Sequence, residues 1–243
     1  MRVFSCDLHI HSTLSPCGSL DMSPRNIVEK AREVGLHVIA ITDHNMTENS
    51  FYAQKLGKMQ GLTVLCGMEL QTLEEIHLLA IFDTYEVAFD FQKKVYDLLP
   101  DVENDVDFYG DQIVVDTENE IVRSEPRLLI NSAQISIDTA ANLIKSMGGL
   151  AIPSHIDSAT FSIISQIGFV PENIPFDALE VRNPEGARGL LPLVMRKNIP
   201  LVSFSDAHYV ADIGRKSITL TMDEPTCREI AGALKTLGAQ RNE

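Results

Sequence analysis

The sequence predicts an α/β fold built on a mostly parallel sheet, and three observations predict it. Short β-branched apolar runs alternate with amphipathic stretches along the chain. Helix start and stop signals fall between those runs. Clusters of His, Asp and Glu follow the ends of several runs, as at the carboxyl rim where a parallel barrel collects its polar residues. A closed barrel suits that rim better than an open sheet, and periodicity alone is compatible with either.

In chain order, residues 2–8 and 38–41 read as buried strands. Between them Ser23 offers an N-cap and Pro24 the first helical position. Ile27, Ala31 and Val34 space an apolar face, and Gly35 is the stop. A second helix is expected over 47–59, with Tyr52, Leu56 and Met59 inward, followed by strands at 62–66 and 76–82. Helices follow near 85–99 and 137–147. Strands at 150–153, 178–181 and 201–204 complete a set of about seven, and Pro225 opens a last helix carrying Cys227, Ile230, Leu234 and Leu237. Residues 100–126 are irregular and acidic. Ile113-Val114-Val115 and Ile121-Val122-Arg123 flank Asp116-Thr117-Glu118-Asn119-Glu120 and predict a hairpin, within an insertion near the mouth of the site.

With 243 residues and 44% hydrophobic content the chain can bury one sizeable core, and no linker or repeat divides it. We read residues 1–243 as one domain. The formal charge of −14, with no Lys/Arg run, excludes a grip on long nucleic acid by bulk electrostatics. Bound cations can still supply the local positive field that a phosphoester needs. The start of the chain lacks a signal-peptide core, and no apolar run reaches the ~18 residues of a membrane span. Four scattered cysteines complete the expectation of a cytoplasmic protein without disulfides or a membrane partner. Cys6 and Cys66 read as core and Cys227 as a helix residue. Cys17 stands apart, in a Pro-containing turn.

Of seven histidines, six sit beside other metal-ligand residue types. Asp7-Leu8-His9-Ile10-His11 ends the first strand, where residues 9 and 11 face the same way and can share one ion. Thr42-Asp43-His44-Asn45 ends the second, with His44 as the candidate ligand and Asp43 as its support. Gly67-Met68-Glu69 supplies a carboxylate able to bridge two ions. His77 opens the next strand and reads equally as a ligand or as a partly buried strand histidine. Ser154-His155-Ile156-Asp157 and Ser205-Asp206-Ala207-His208 repeat the pattern. Five such clusters at five strand ends are explained most simply by a shared metal centre, because ionisable groups are disfavoured in a dry interior without partners. His37 precedes a strand at the far end and reads as structural.

The ordered set D-L-H-I-H-S, I-T-D-H-N, G-M-E, P-S-H-I-D and S-D-A-H resembles the polymerase-and-histidinol-phosphatase (PHP) family of metal-dependent phosphoesterases, over essentially the whole chain. The resemblance implies a distorted seven-stranded (β/α)7 TIM-like barrel with two or three divalent ions, zinc, iron or manganese. It implies one ion on His9, His11, Glu69 and Asp206, and a second on Glu69, His77 and His155. A third would lie on His44, His208 and the residue after the first motif, where the family often has Asp or His and this chain has Cys17.

The activity these residues suggest is hydrolysis of a phosphomonoester or phosphodiester by a metal-bound hydroxide, with Glu69, His155, Asp206 and His208 in the catalytic centre. Asp157 is a candidate for assisting the leaving group. Arg182 and Arg215 are candidates for substrate phosphate. The expected partner is a small phosphorylated metabolite, a nucleotide or an oligonucleotide end. Two other readings stand beside this one. A metal-dependent amidohydrolase also begins with H-x-H but fits the Gly-x-Glu and Asp-x-His elements poorly. A non-catalytic, metal-stabilised regulatory domain leaves a complete ligand set unexplained.

Overall fold

In the computed structural model, residues 1–194 and 199–240 are described. The chain runs β1 (Arg2–Ile10), α1 (Pro24–Glu33), β2 (Val38–His44), α2 (Glu48–Gln60), β3 (Thr63–Gln71), β4 (His77–Phe82), α3 (Tyr85–Leu98), α4 (Val106–Tyr109), β5 (Ile113–Val115) and β6 (Ile121–Ser124). It continues through α5 (Ile137–Ser146), β7 (Leu150–Pro153), α6 (Ile163–Ile167), β8 (Leu179–Glu180), β9 (Leu201–Val202), β10 (Ile218–Met222) and α7 (Cys227–Gln240). No described helix is long and apolar enough to cross a membrane.

Six strands form one sheet in the order β10-β1-β2-β3-β4-β7, curled into a half-barrel, and β8 pairs with β9 beside it. The expectation of a mostly parallel sheet needs correction. β1, β2 and β3 are mutually parallel, but β4 is antiparallel to both β3 and β7, and β10 is antiparallel to β1. The cause is chain length. β3 runs on to Gln71, past the predicted end at residue 66, so only residues 72–76 lead into β4. A parallel connection needs a dozen or so residues, and a link this short makes a hairpin. Glu69 therefore lies inside a strand, and His77 enters the site from the start of β4 rather than from a carboxyl end.

Helix signals were legible where caps are strong. The Ser23 hydroxyl accepts from Asn26 N–H at 3.2 Å, and Gly35 stops the segment at φ 79°. Two inward assignments fail: Val34 and Met59 are 43% and 81% exposed. Val34 is the C-cap, already out of helical geometry. On α2 the buried stripe runs through Asn49, Ser50, Ala53, Leu56 and Gly57, small or polar residues that an apolar pattern overlooks. Gly57 is required there, since a Cβ would stand 2.5 Å from a Val64 methyl.

The core has three parts. α3 and α5 pack Phe91, Ala140 and Ile144 on Phe82 and Ala151, while α1 and α2 bury Ile27, Ala31 and Ala53 with Ile39 and Ile41. α7 brings Cys227, Ile230 and Leu234 against Phe4, Val202 and Leu220. The predicted hairpin is present as β5–β6. It lies against the loop after β1, with Ile113 N–H donating to Thr13 O at 2.8 Å and Asn49 Nδ2 donating to Ile113 O at 3.0 Å.

Candidate metal centre

The parallel strands deliver their ends to one place. His9 on β1 and His11 just past its end face the same side, with Nε2 atoms 3.2 Å apart. Register pairs His44 on β2 with Glu69 on β3, and the β3–β4 hairpin pairs Gln71 with His77. His155 and Asp206 complete the cluster from turns after β7 and β9. Both adopt the left-handed region, at φ 30° and 51°. Asp and His tolerate it better than most residues, and such strain collects at functional sites.

Glu69 is central. Its Oε1 lies 3.3 Å from His9 Nε2, 3.1 Å from His77 Nδ1 and 3.2 Å from His155 Nε2. Its Oε2 lies 3.4 Å from His11 Nε2 and 3.5 Å from His44 Nδ1. Asp206 Oδ1 adds a second carboxylate, 3.4 Å from His9 Nε2 and 3.5 Å from His11 Nε2. One carboxylate thus presents its two oxygens to two different sets of imidazoles.

A surrounding layer of hydrogen bonds assigns the imidazole tautomers. His9 Nδ1 donates to Glu180 Oε2 at 2.9 Å, turning Nε2 inward. His11 Nδ1 donates to the Ser15 hydroxyl at 2.9 Å, which in turn donates to Asp43 at 2.7 Å. His77 Nε2 donates to Gln71 Oε1 at 3.1 Å, leaving Nδ1 inward, and Phe161 stacks on the His77 ring with centroids 4.8 Å apart. His208 Nδ1 donates to the Asp206 carbonyl at 2.8 Å. Supports of this kind fix ring orientation at metal sites.

Among the described residues, the buried side-chain atoms without hydrogen-bond partners include four in this cluster: His44 Nδ1, Glu69 Oε1, His77 Nδ1 and His155 Nδ1. Buried polar atoms are rarely orphaned, and here His44 Nδ1 and His77 Nδ1 both face the Glu69 carboxylate. Divalent cations satisfy that requirement, and imidazole with carboxylate suits zinc, iron and manganese. The donor set therefore fits a metal centre.

The charges agree. Burial alone would raise the Glu69 carboxyl, but His77 and His9 beside it hold it well below the usual carboxylate range. Burial disfavours a charged His11, yet hydrogen bonds to Asp206 and Glu69 overcome this and take it up to about 9. The carboxylates around His9 and His11 thus call for positive charge at this place, a demand that a bound cation would meet. His44 is held well below its ordinary range by burial and by His11, and His208 falls to about 4 for the same reasons. Both are neutral at pH 7 and offer lone pairs.

Around the cluster, ligand atoms of Cys17, His208 and His11 lie within 4.8 Å of one another, while His44 groups with His11 and Glu69. The donors expected to share an ion with Cys17 are thus divided: His208 stands beside it, and His44 joins the Glu69 set. Arg182 reaches the rim, its Nη2 3.0 Å from Asp206 Oδ2. Arg215 pairs with Asp212 at an exposed position. Asp157 accepts from the backbone N–H groups of Arg182 and Asn183, both at 2.8 Å, so it shapes the β8 loop and is not free to assist a leaving group. His37 accepts from Ser5 N–H at 3.0 Å, a structural role.

Sequence reasoning missed Glu180, Ser15, Gln71 and Phe161. Glu180 had a readable signal, a lone carboxylate inside the apolar run 178–181. It is 2% exposed and also accepts from His155 N–H at 3.2 Å. Glu180→Gln is expected to weaken metal affinity by roughly 10–100-fold, the usual cost of losing such a support. Equal metal retention in the variant would remove Glu180 from the site.

These features define an α/β protein with a cluster of metal-ligand side chains at one end of its sheet. The family model of the PHP domain matches residues 7–157, and the chain belongs to that family. The uncharacterized protein MJ1587 of Methanocaldococcus jannaschii is 38% identical over 76 residues, which cover 28% of this chain and 44% of that protein. The lesion-specific endonuclease PfuEndoQ from Pyrococcus furiosus shares the fold at a TM-score of 0.64 and 19% identity, over 97% of this chain and 56% of that one. A candidate metal-dependent phosphoesterase from Bifidobacterium adolescentis does so at 0.63 and 21% identity, over 94% and 96%. The chain thus spans less than two thirds of the first two.

Proposed function

We propose that this protein hydrolyses phosphoesters with two or three divalent ions, of zinc, iron or manganese, held around Glu69. The carrying observation is the Glu69 carboxylate, with Oε1 toward His9, His77 and His155 and Oε2 toward His11 and His44. In this reading His9, His11, Glu69 and Asp206 hold one ion, and Glu69, His77 and His155 the next. Cys17 and His208 serve the mouth, and His44 stands with His11 beside Glu69. Such ions supply Lewis-acid charge for the phosphoryl oxygens and acidify a water. The residues do the positioning: Glu69 sets the spacing, Glu180 and Ser15 lock the rings of His9 and His11, and Asp206 anchors the rim. Arg182, half-exposed beside Asp206, is the guanidinium placed to meet a substrate phosphate. Arg215 is the weaker candidate, engaged with Asp212.

The domain extends over the whole chain in this proposal. Asp177 N–H donates to Ala151 O at 2.9 Å, and His11 N–H to Ala207 O at 3.0 Å. These bonds tie the segment before β8 to β7 and the segment after β9 to the residue following β1, which supports reading the curl as a distorted seven-strand ring. Substrates are small phosphorylated metabolites, nucleotides or oligonucleotide ends. The acidic charge disfavours long nucleic acid, and the likeness to a lesion-specific endonuclease keeps nucleic-acid ends in view.

The test is a panel of phosphomonoesters, phosphodiesters and amides assayed on protein loaded with zinc, manganese or iron(II). Turnover of phosphoesters alone is the expected result, and turnover of amides alone would replace it with the amidohydrolase reading. The 100–126 segment is expected to set substrate preference. Removing residues 113–123 should shift the ranking of phosphoesters by about tenfold or more while metal content holds. A loss of metal matching that of Glu69→Gln would make the hairpin part of the centre's scaffold.

A further inference from the structure

The turn between β7 and α6 starts at His155 and ends against His77, so two residues of the Glu69 cluster frame it. Ser158 N–H donates to His155 O at 2.8 Å, and His77 N–H donates to Phe161 O at 2.9 Å. Just beyond, the Ser162 hydroxyl donates to Ser158 O at 2.7 Å and accepts from Ser165 N–H at 3.0 Å as the cap of α6. Phe161 is thus held by its own carbonyl and by the cap that follows it. Its ring lies on the His77 imidazole, with the planes 10° apart and the centroids 4.8 Å apart. His77 Nδ1 is in turn 3.1 Å from Glu69 Oε1. A single imidazole separates the Phe161 ring from the Glu69 carboxylate.

Packing on His77 does not account for the whole ring. His77 is 8% exposed and Phe161 38%, so the histidine covers one face and the other opens outward. Among the described residues no second ring stacks on it. The backbone sits at φ 55°, a region a bulky residue seldom adopts, and a half-open ring recovers little of that strain by burial. An aliphatic side chain would shield His77 as well. A flat ring with a free face offers something more, a surface on which another planar ring stacks. We propose that Phe161 is a specificity-determining platform: its open face stacks on a planar ring carried by the substrate's alcohol, so that phosphoesters bearing a heteroaromatic base are preferred over those with a bare sugar or alkyl chain. The proposal rests on reading the Glu69 cluster as a phosphoester-hydrolysing centre and names which of its substrates bind tightest. Phe161 acts on binding and not on the phosphoryl step, because its side chain has no group that ionises or donates.

Equilibrium binding separates a platform from a mere cover for His77. Zinc-loaded full-length protein is titrated calorimetrically with adenosine monophosphate and with ribose 5-phosphate, which share phosphate and sugar and differ in the base. The base is expected to tighten binding by roughly tenfold or more, the usual order for stacking on one aromatic side chain. Phe161→Leu keeps an apolar cover over His77 and should remove that advantage, with ribose 5-phosphate affinity and zinc content unchanged. Phe161→Trp should keep it. In turnover the same loss is expected in KM with kcat held. Equal affinity for the two phosphates in the wild type, or an advantage that survives in Phe161→Leu, would overturn the platform and leave the Glu69 reading standing. A loss in Phe161→Leu shared equally by both phosphates, or accompanied by loss of zinc, would make Phe161 a cover for His77 and overturn the platform too. Failure of both phosphates to bind the zinc-loaded protein would overturn the phosphoester reading and the platform with it.

Discussion

Glu69→Gln is expected to reduce phosphoester turnover by on the order of 10³-fold or more and to lower metal content, while the circular dichroism spectrum is retained. The substitution keeps the side-chain volume, and Glu69 is only 1% exposed, so packing is preserved. What changes is charge and hydrogen-bonding character. The carboxylate faces five imidazole nitrogens at 3.1–3.5 Å. An amide in its place directs an N–H group at some of them and cannot neutralise two cations. Full activity in the variant, on a substrate that the wild type turns over, would exclude a bridging role.

The second large effect concerns Asp206 and His9. Asp206 Oδ1 and His9 Nε2 are 3.4 Å apart and both face His11, so they are read as ligands of one ion. Each single substitution, Asp206→Ala or His9→Ala, is expected to cost about 10²–10³-fold in turnover. The double variant should be little worse than either single one, since an ion already lost is not lost again. Kinetics of the three variants, with metal content by mass spectrometry, check this. Multiplicative losses would place the two residues in independent sites.

Much of the site was legible in the sequence because its parts follow two local rules. Side-chain alternation, carried one residue past the end of β1, put His9 and His11 on one side. The ends of apolar runs marked where His44, His155, Asp206 and His208 leave the sheet. Less legible were features that depend on the path between strands. The β3–β4 hairpin rests on how far β3 extends, and a polar tail such as Glu69-Leu70-Gln71 gives no strand signal of its own. For the same reason Gln71, which orients His77, had no reason to be singled out. Glu180 acts on His9 across 171 residues of sequence, a distance that local patterning cannot span. The division of the mouth ligands, with His208 beside Cys17 and His44 beside Glu69, depends on ring positions that strand register alone does not determine.

In the proposed reaction a carboxylate-bridged pair of ions performs phosphoester hydrolysis, and stepwise reconstitution of the full-length protein tests this most directly. Chelated protein is titrated with manganese or zinc, bound metal is measured at each point, and turnover of a phosphodiester and a phosphomonoester is followed in the same samples. The expected result is no turnover in the stripped protein and little with one ion bound, then a steep rise as the second ion enters, with the rise abolished in Glu69→Gln. Full turnover at one bound ion, or turnover undiminished by chelation, would contradict it.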